Sequence, residues 1–268
     1  MYTLGIDIGS TTSKSVILKD GRKIIAKSLK RGGMGTEGPA KALAVLFENS
    51  RLNMKDMDFT VVTGYGRKKF EEADKEVSEL TCHALGGRFI YPELRTVIDI
   101  GGQDSKVISL TPDGKMANFV MNDKCAAGTG RFLDVMAQIL QIDINDMGKY
   151  AADADEVVRI SNTCTVFAES EVISQMAAGV RMENLIAGIC ESVGAKVSTL
   201  ARRVGAKETV CLSGGVARNR AVQRSLEKNL GVKIQCSEDA QYFGALGAAL
   251  YAWNQVSIKD GGKQWQRK

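Results

Sequence analysis

The stretch Leu4-Gly5-Ile6-Asp7-Ile8-Gly9-Ser10-Thr11-Thr12-Ser13-Lys14-Ser15-Val16-Ile17-Leu18 constrains this chain more than any other. The apolar run up to Ile8 reads as a strand, Gly9 permits a turn, and Ser15 to Leu18 resumes strand character. Between the strands lie five hydroxyl or amine residues, Ser10 to Lys14, beside one acid, Asp7. A turn of this kind offers N–H groups, hydroxyls and a cation to a polyanion, and the acid can hold a hydrated magnesium ion. The chain then repeats the unit. Ile98-Asp99-Ile100-Gly101-Gly102-Gln103-Asp104-Ser105-Lys106 matches Ile6 to Lys14 at six of nine positions, 92 residues later. A duplicated strand–turn–strand unit predicts two related domains whose turns face one cleft. A third glycine-rich turn, Leu212-Ser213-Gly214-Gly215-Val216-Ala217-Arg218-Asn219, follows the apolar strand Thr209 to Leu212.

Two phosphate-type turns followed by a strand–Gly-Gly–helix segment resemble the actin, sugar-kinase and Hsp70 ATPase superfamily. That resemblance implies an α/β fold of two related actin-like (ribonuclease H-like) ATPase domains around a nucleotide cleft. The expected boundaries are residues 1–95 plus about 240–256 for the first domain, 96–239 for the second, and a polar, frayed tail over 257–268. Along the way the pattern predicts a third strand at Lys23 to Leu29 and a flexible loop from Arg31 to Gly38. A helix is expected from Pro39 to about Asn49, a buried strand at Phe59 to Thr63, and a helix from Glu71 to Gly86. Ala240 to Trp253 is rich in small residues and is expected as a helix that packs closely, returning by resemblance to complete the first domain.

The rest of the composition narrows the function classes. A net charge of +5, with no dense Lys/Arg tract, gives no sign of a nucleic-acid partner. No apolar run approaches the roughly 20 residues of a membrane span, and the start lacks a signal-peptide layout. Six cysteines without paired spacing point to a reducing cytoplasm. The one histidine, His83, rules out multi-histidine metal sites and reads as a residue at a packed helix face.

Two segments between the second and third turns depart from a plain kinase. Asn122-Asp123-Lys124-Cys125-Ala126-Ala127-Gly128-Thr129-Gly130-Arg131 leads into one helix, and Ser161-Asn162-Thr163-Cys164-Thr165-Val166-Phe167-Ala168-Glu169-Ser170 leads into another. Each places a cysteine in a small polar loop read as a helix N-terminus, which favours a thiolate or an anionic metal–sulfur cluster. Cys82 and Cys190, in helical patterns, and Cys211 and Cys236, in strand patterns, read instead as small buried hydrophobes.

These cysteine segments, beside Asp99 to Asp104, resemble the activators of 2-hydroxyacyl-CoA dehydratases and the related benzoyl-CoA reductase ATPases (the BadF/BadG/BcrA/BcrD ATPase family). The likeness runs over nearly the whole chain apart from the tail; Ser13 and Asn162 disturb none of the roles that follow. The resemblance implies a homodimeric ATPase with one [4Fe-4S] cluster shared across the dimer, ligated by Cys125 and Cys164 of each subunit. Ferredoxin or flavodoxin would reduce it, and ATP would drive one low-potential electron into a 2-hydroxyacyl-CoA dehydratase. Ser10, Thr11, Thr12, Ser13 and Lys14 would cradle the ATP phosphates together with Gly101 and Gly102, and Asp7 and Asp99 would hold Mg²⁺. Gln103 or Asp104 would orient the attacking water. Gly214 and Gly215 would let the adenosine approach the backbone, and Gln241 would touch the nucleotide. The alternatives are a benzoyl-CoA reductase-type subunit, a small-molecule kinase of the same fold, and a filament- or chaperone-like nucleotide module.

Overall fold

The duplicated hairpin is carried through to whole sheets. The computed structural model describes residues 1–259 of the chain and divides into two units. One is built from Met1–Leu94, Pro112–Met116 and the chain from Ser237 onward; the other is built from Arg95–Thr111 and Ala117–Cys236.

The first unit contains β1 (Tyr2–Ile8), β2 (Thr12–Lys19), β3 (Lys23–Arg31), α1 (Gly38–Ser50), β4 (Phe59–Thr63), β5 (Lys75–Glu76) and α2 (Glu79–Ile90). The second contains β6 (Thr96–Ile100), β7 (Ser105–Leu110), most of β8 (Met116–Asn122), α3 (Gly130–Ile139), α4 (Met147–Tyr150) and α5 (Thr165–Ala177). It continues with α6 (Met182–Val204), β9 (Val210–Ser213), α7 (Arg220–Leu230) and β10 (Ile234–Gln235), after which α8 (Phe243–Lys259) belongs to the first unit.

The sheet orders are β3-β2-β1-β4-β5 and β8-β7-β6-β9-β10, the same order built from successive strands. In each, the hairpin is antiparallel and the strand on its other side is parallel, so Asp7 pairs with Lys14 and Thr63 just as Asp99 pairs with Lys106 and Ser213.

Strand alternation decides which helix covers which face of the first sheet. Leu4, Ile6 and Ile8 pack with Leu43 and Leu46 of α1, whereas Val16 and Leu18 pack with Leu246 and Leu250 of α8. Gly5 also lies on the α8 side, where a side chain would collide with the backbone of Ala245 and Ala249. Gly247 meets the Cys82 carbonyl of α2 in the same way. The small residues of α8 therefore let it lie directly on both β1 and α2. Burying its apolar side chains, among them Leu246 and Leu250, stabilises the unit by about 1.5–3 kcal/mol for each large one.

Several elements differ from the sequence pattern. Glu71 to Val77 is not helical, because this segment extends the sheet: Thr60 donates to the Asp74 carboxylate, and Asp74 and Val77 donate to the Thr60 and Val62 carbonyls. The helix starts only at Ser78, whose hydroxyl caps it by accepting from the Leu80 N–H. The Arg31–Gly38 loop, expected to be flexible, is bonded to the first turn; Gly32 and Met34 donate to the Thr11 and Gly9 carbonyls. α8 begins at Phe243 and runs through Lys259, taking in the first three residues of the expected frayed tail. The remainder of that tail, residues 260–268, lies outside the described residues.

Candidate functional site

The first hairpin turn is short. Gly9 closes it by donating to the Thr12 carbonyl at 3.0 Å, and Thr12 already opens β2. Of the five residues expected to form a phosphate cradle, Thr11 is exposed, and Ser10 and Thr12 are half-buried. Ser13 is buried with its hydroxyl donating to the Gly32 carbonyl at 2.8 Å. Lys14 is bonded to Asp7, Nζ to Oδ2 at 3.2 Å. Glycines crowd that carboxylate: a Cβ at Gly64 would stand 2.5 Å from Oδ1, and one at Gly244 would stand 2.8 Å from Oδ2. His83, buried on α2, lies in the same place, its Nε2 3.1 Å from that point at Gly244.

The second hairpin is built alike but charged differently. Asp99, Asp104 and Lys106 are 3%, 6% and 4% exposed. Lys106 Nζ lies 2.5 Å from Asp104 Oδ2 and 3.6 Å from Asp99 Oδ2. Gln103, at the tip of the turn, is exposed. Asp104 occupies the repeat position of Thr12, so the second hairpin sets two carboxylates against one ammonium where the first sets one against one. Asp7, Asp99 and Asp104 are hard oxygen donors of the kind a magnesium ion takes, each beside a lysine of its own hairpin.

The third turn closes on the second hairpin. Gly214 has φ +84° and ψ −176°, a backbone state essentially restricted to glycine. A Cβ there would stand 2.7 Å from Asp99 Oδ1 and would also strike the Ile100 carbonyl. Gly214 is thus buried against Asp99, and Gly215, which is exposed, is the residue that leaves backbone bare for a ligand. In the first unit Gly64 (φ +87°) meets Asp7 and Ile8 in the same manner, so the duplication extends to this turn as well. Sequence reasoning missed Gly64 and Lys106, although setting the repeats side by side pairs Lys106 with Lys14. Gln241 sits half-buried on the short helical turn Ala240–Tyr242 of the first unit.

The cysteine loops are brought together in the second unit. Cys164 is the residue that caps α5. Cys125, by contrast, lies ahead of the α3 N-terminus, whose cap is Thr129; the expectation that both cysteines sit at helix N-termini holds only for Cys164. The first N–H groups of α3 serve the second turn instead: Gly130 and Arg131 donate to the Gly101 and Gly102 carbonyls at 2.8 and 2.7 Å. Asn122 holds the Cys125 loop by donating to the Cys125 and Ala127 carbonyls. The Cys125 thiol lies 3.7 Å from the carbonyl of Thr163, next to Cys164. Both thiols are partly exposed, and Val166 and Phe167 on α5 are 64% and 68% exposed.

The other four cysteines are placed differently. Burial pushes the thiols of Cys82 and Cys190 up to about 12 and raises that of Cys211 further. Cys236 follows β10 and is exposed, not a buried strand residue as its pattern implied; its thiol donates to the Ala217 carbonyl at 3.0 Å. No disulfide joins any of the six cysteines. Among the described residues no group of three or more His, Cys, Asp or Glu forms a metal cluster site. Two thiolates are half of the four an iron–sulfur cluster requires, so Cys125 and Cys164 would fit one only with two more from a second chain. No helix among the described residues is long and apolar enough to cross a membrane.

Both the sequence and the fold match known proteins. Residues 4–252 match the model of the BadF/BadG/BcrA/BcrD ATPase family. The chain is 56% identical to the (R)-2-hydroxyglutaryl-CoA dehydratase activating ATPase of Acidaminococcus fermentans, over 96% of this chain and 99% of that one. It is 50% identical to a 2-hydroxyisocaproyl-CoA dehydratase activator of Clostridioides difficile, over 96% of each. The solved structure of an activator of the 2-hydroxyisocaproyl-CoA dehydratase from Clostridium difficile, with bound ADPNP, superposes with a TM-score of 0.95 at 48% identity, covering all of both chains.

Proposed function

Because the chain belongs to the BadF/BadG/BcrA/BcrD ATPase family, we propose that it is an ATP-hydrolysing activator that delivers one low-potential electron to a 2-hydroxyacyl-CoA dehydratase. The observation that carries this reading is the contact of the Cys125 thiol with the Thr163 carbonyl. It joins two cysteine loops that a kinase of this fold would leave without a task. The loops stand in the same unit as the Gly101–Asp104 turn, and the Gly130 and Arg131 bonds link that turn to the chain just after Cys125.

The chain works as a homodimer in the cytoplasm, with Cys125 and Cys164 of each subunit meeting around one [4Fe-4S] cluster. That cluster, reduced by ferredoxin or flavodoxin, supplies the one-electron chemistry. The exposed Val166 and Phe167 support burial of this region against another chain. Ser10, Thr11 and Thr12 form a phosphate-binding turn of the first unit, and Gly101 and Gly102 form one of the second. Lys14 anchors Asp7 beside them, Ser13 braces the turn from within, and Gly215 offers bare backbone to the adenosine. Asp99 would hold the Mg²⁺ of MgATP, and Gln103 or Asp104 orients the water. Gln241 is an outlying nucleotide contact.

The test is reconstitution. Anaerobically purified protein with a reductant, MgATP and a dehydratase should start dehydration of a 2-hydroxyacyl-CoA, and omitting ATP should abolish it. Phosphate transfer from ATP to a small-molecule acceptor, with no dehydratase activation, would establish the kinase reading in its place.

A further inference from the structure

The Cys164 loop is held by a side chain of the helix it leads into. From Val157 to Cys164 the chain forms neither helix nor strand. Ile160 is buried there, and the next residue, Ser161, donates its N–H to Glu171 Oε2 at 2.8 Å. Glu171 lies on the second turn of α5. The Ser161 hydroxyl in turn accepts from the Thr163 N–H at 3.4 Å. Thr163 carries the carbonyl that the Cys125 thiol contacts at 3.7 Å, and Cys164 is the next residue. One carboxylate on α5 therefore fixes the short segment that ends in Cys164 and meets Cys125 on the way. The Cys125 loop has its own tie, the Asn122 amide.

We infer that Glu171 is a positioning residue for the cluster ligands, setting the Cys164 loop against the Cys125 loop. Metal ligands bind best when groups behind them hold them in the bound geometry, and ligands that must first be ordered bind more weakly. Little else orders this segment: Thr163 is exposed, and Ser161 and Asn162 are half-buried. A backbone N–H bonded to a carboxylate is a stronger tie than one bonded to a neutral group. The role needs an acceptor at that reach, so a glutamine amide oxygen should serve in its place. This inference rests on the cluster reading above, which fails separately if anaerobically reconstituted wild-type protein holds no iron.

The experiment compares wild type, Glu171→Met and Glu171→Gln as full-length chains. Amide hydrogen exchange over residues 161–164 is followed in the iron-free protein, and loss of iron to a chelator after anaerobic reconstitution with iron and sulfide. In Glu171→Met both rates should rise about tenfold, the effect of losing one hydrogen bond to a charged acceptor. Cys82, Cys190 and Cys211 should still resist alkylation in that variant, which separates a loosened loop from a loosened fold. Glu171→Gln keeps an acceptor and should stay within about threefold of wild type on both measures. If Glu171→Met exposes the buried thiols as well, Glu171→Gln decides alone, and wild-type behaviour is expected of it. A wild-type rate on either measure in a folded Glu171→Met, or a tenfold rise in Glu171→Gln, would overturn the assignment.

Discussion

Cys164 stands at the N-cap position of α5 whereas Cys125 lies in a loop held by Asn122, and burial separates both from Cys82, Cys190 and Cys211. A thiol pushed up to about 12 is almost wholly protonated at neutral pH, and the thiolate is the form that reacts and ligates. Cys82 and Cys190, and Cys211 still more so, should therefore resist alkylation at pH 7.5 in the folded, iron-free protein, while Cys125 and Cys164 are modified. The raised values mean that this protection persists as pH rises until it nears the shifted range. The same division applies to metal. Cys125→Ala or Cys164→Ala should lose the brown colour and the roughly four irons per dimer that a [4Fe-4S] cluster contributes, and Cys211→Ala should keep both. Equal iron in all three variants would end the ligand assignment. His83 is a contrasting case: it lies beside Asp7 because α2 and α8 pack closely through glycine there, which is the packed-face position its helical setting implied.

At the level of elements, α3 is the part that links the second turn to the Cys125 loop. Its first two N–H groups are satisfied by the Gly101 and Gly102 carbonyls, and the Cys125 loop enters it directly. Helix N-terminal donors need partners, and here they are spent on the second turn, not on a thiolate. A shift of that turn on nucleotide binding must then pull on the chain behind Cys125. A Cβ at Gly130 would stand 3.0 Å from the Gly101 oxygen, so Gly130→Val should wedge helix and turn apart. The expected result is at least about a tenfold loss of dehydratase activations per ATP hydrolysed, since coupling between sites of 1–3 kcal/mol corresponds to factors of this order. Activation and hydrolysis falling in equal proportion would show that α3 does not carry the coupling.

For the molecule as a whole, the relevant order is that of the chain. Both cysteine loops fall between the second and third turns, in the unit that holds both. A ligand shifts a conformational equilibrium only through its differential affinity for the two states. The reduced dimer should accordingly bind its dehydratase more tightly with ADPNP than with ADP, and a chelator should strip iron faster in the ADPNP state. Identical partner affinity and identical chelation rates in the two states would mean that nucleotide does not drive the transfer.

The sequence by itself determined the hairpins, the third turn and the duplication, because strand alternation and turn chemistry are local and repeat visibly when a unit is copied. It also singled out Cys125 and Cys164, since small polar loops around a cysteine need no partner to be noticed. Tertiary structure decided what local pattern leaves open. Glu71 to Val77 could not be helix once Thr60 and Val62 claimed its backbone as a sheet edge. Gly214 serves Asp99, 115 residues earlier. The Cys125 thiol meets Thr163 across 38 residues of chain. In each case the deciding partner is distant in sequence, and only packing of the sheets and helices brings it into contact.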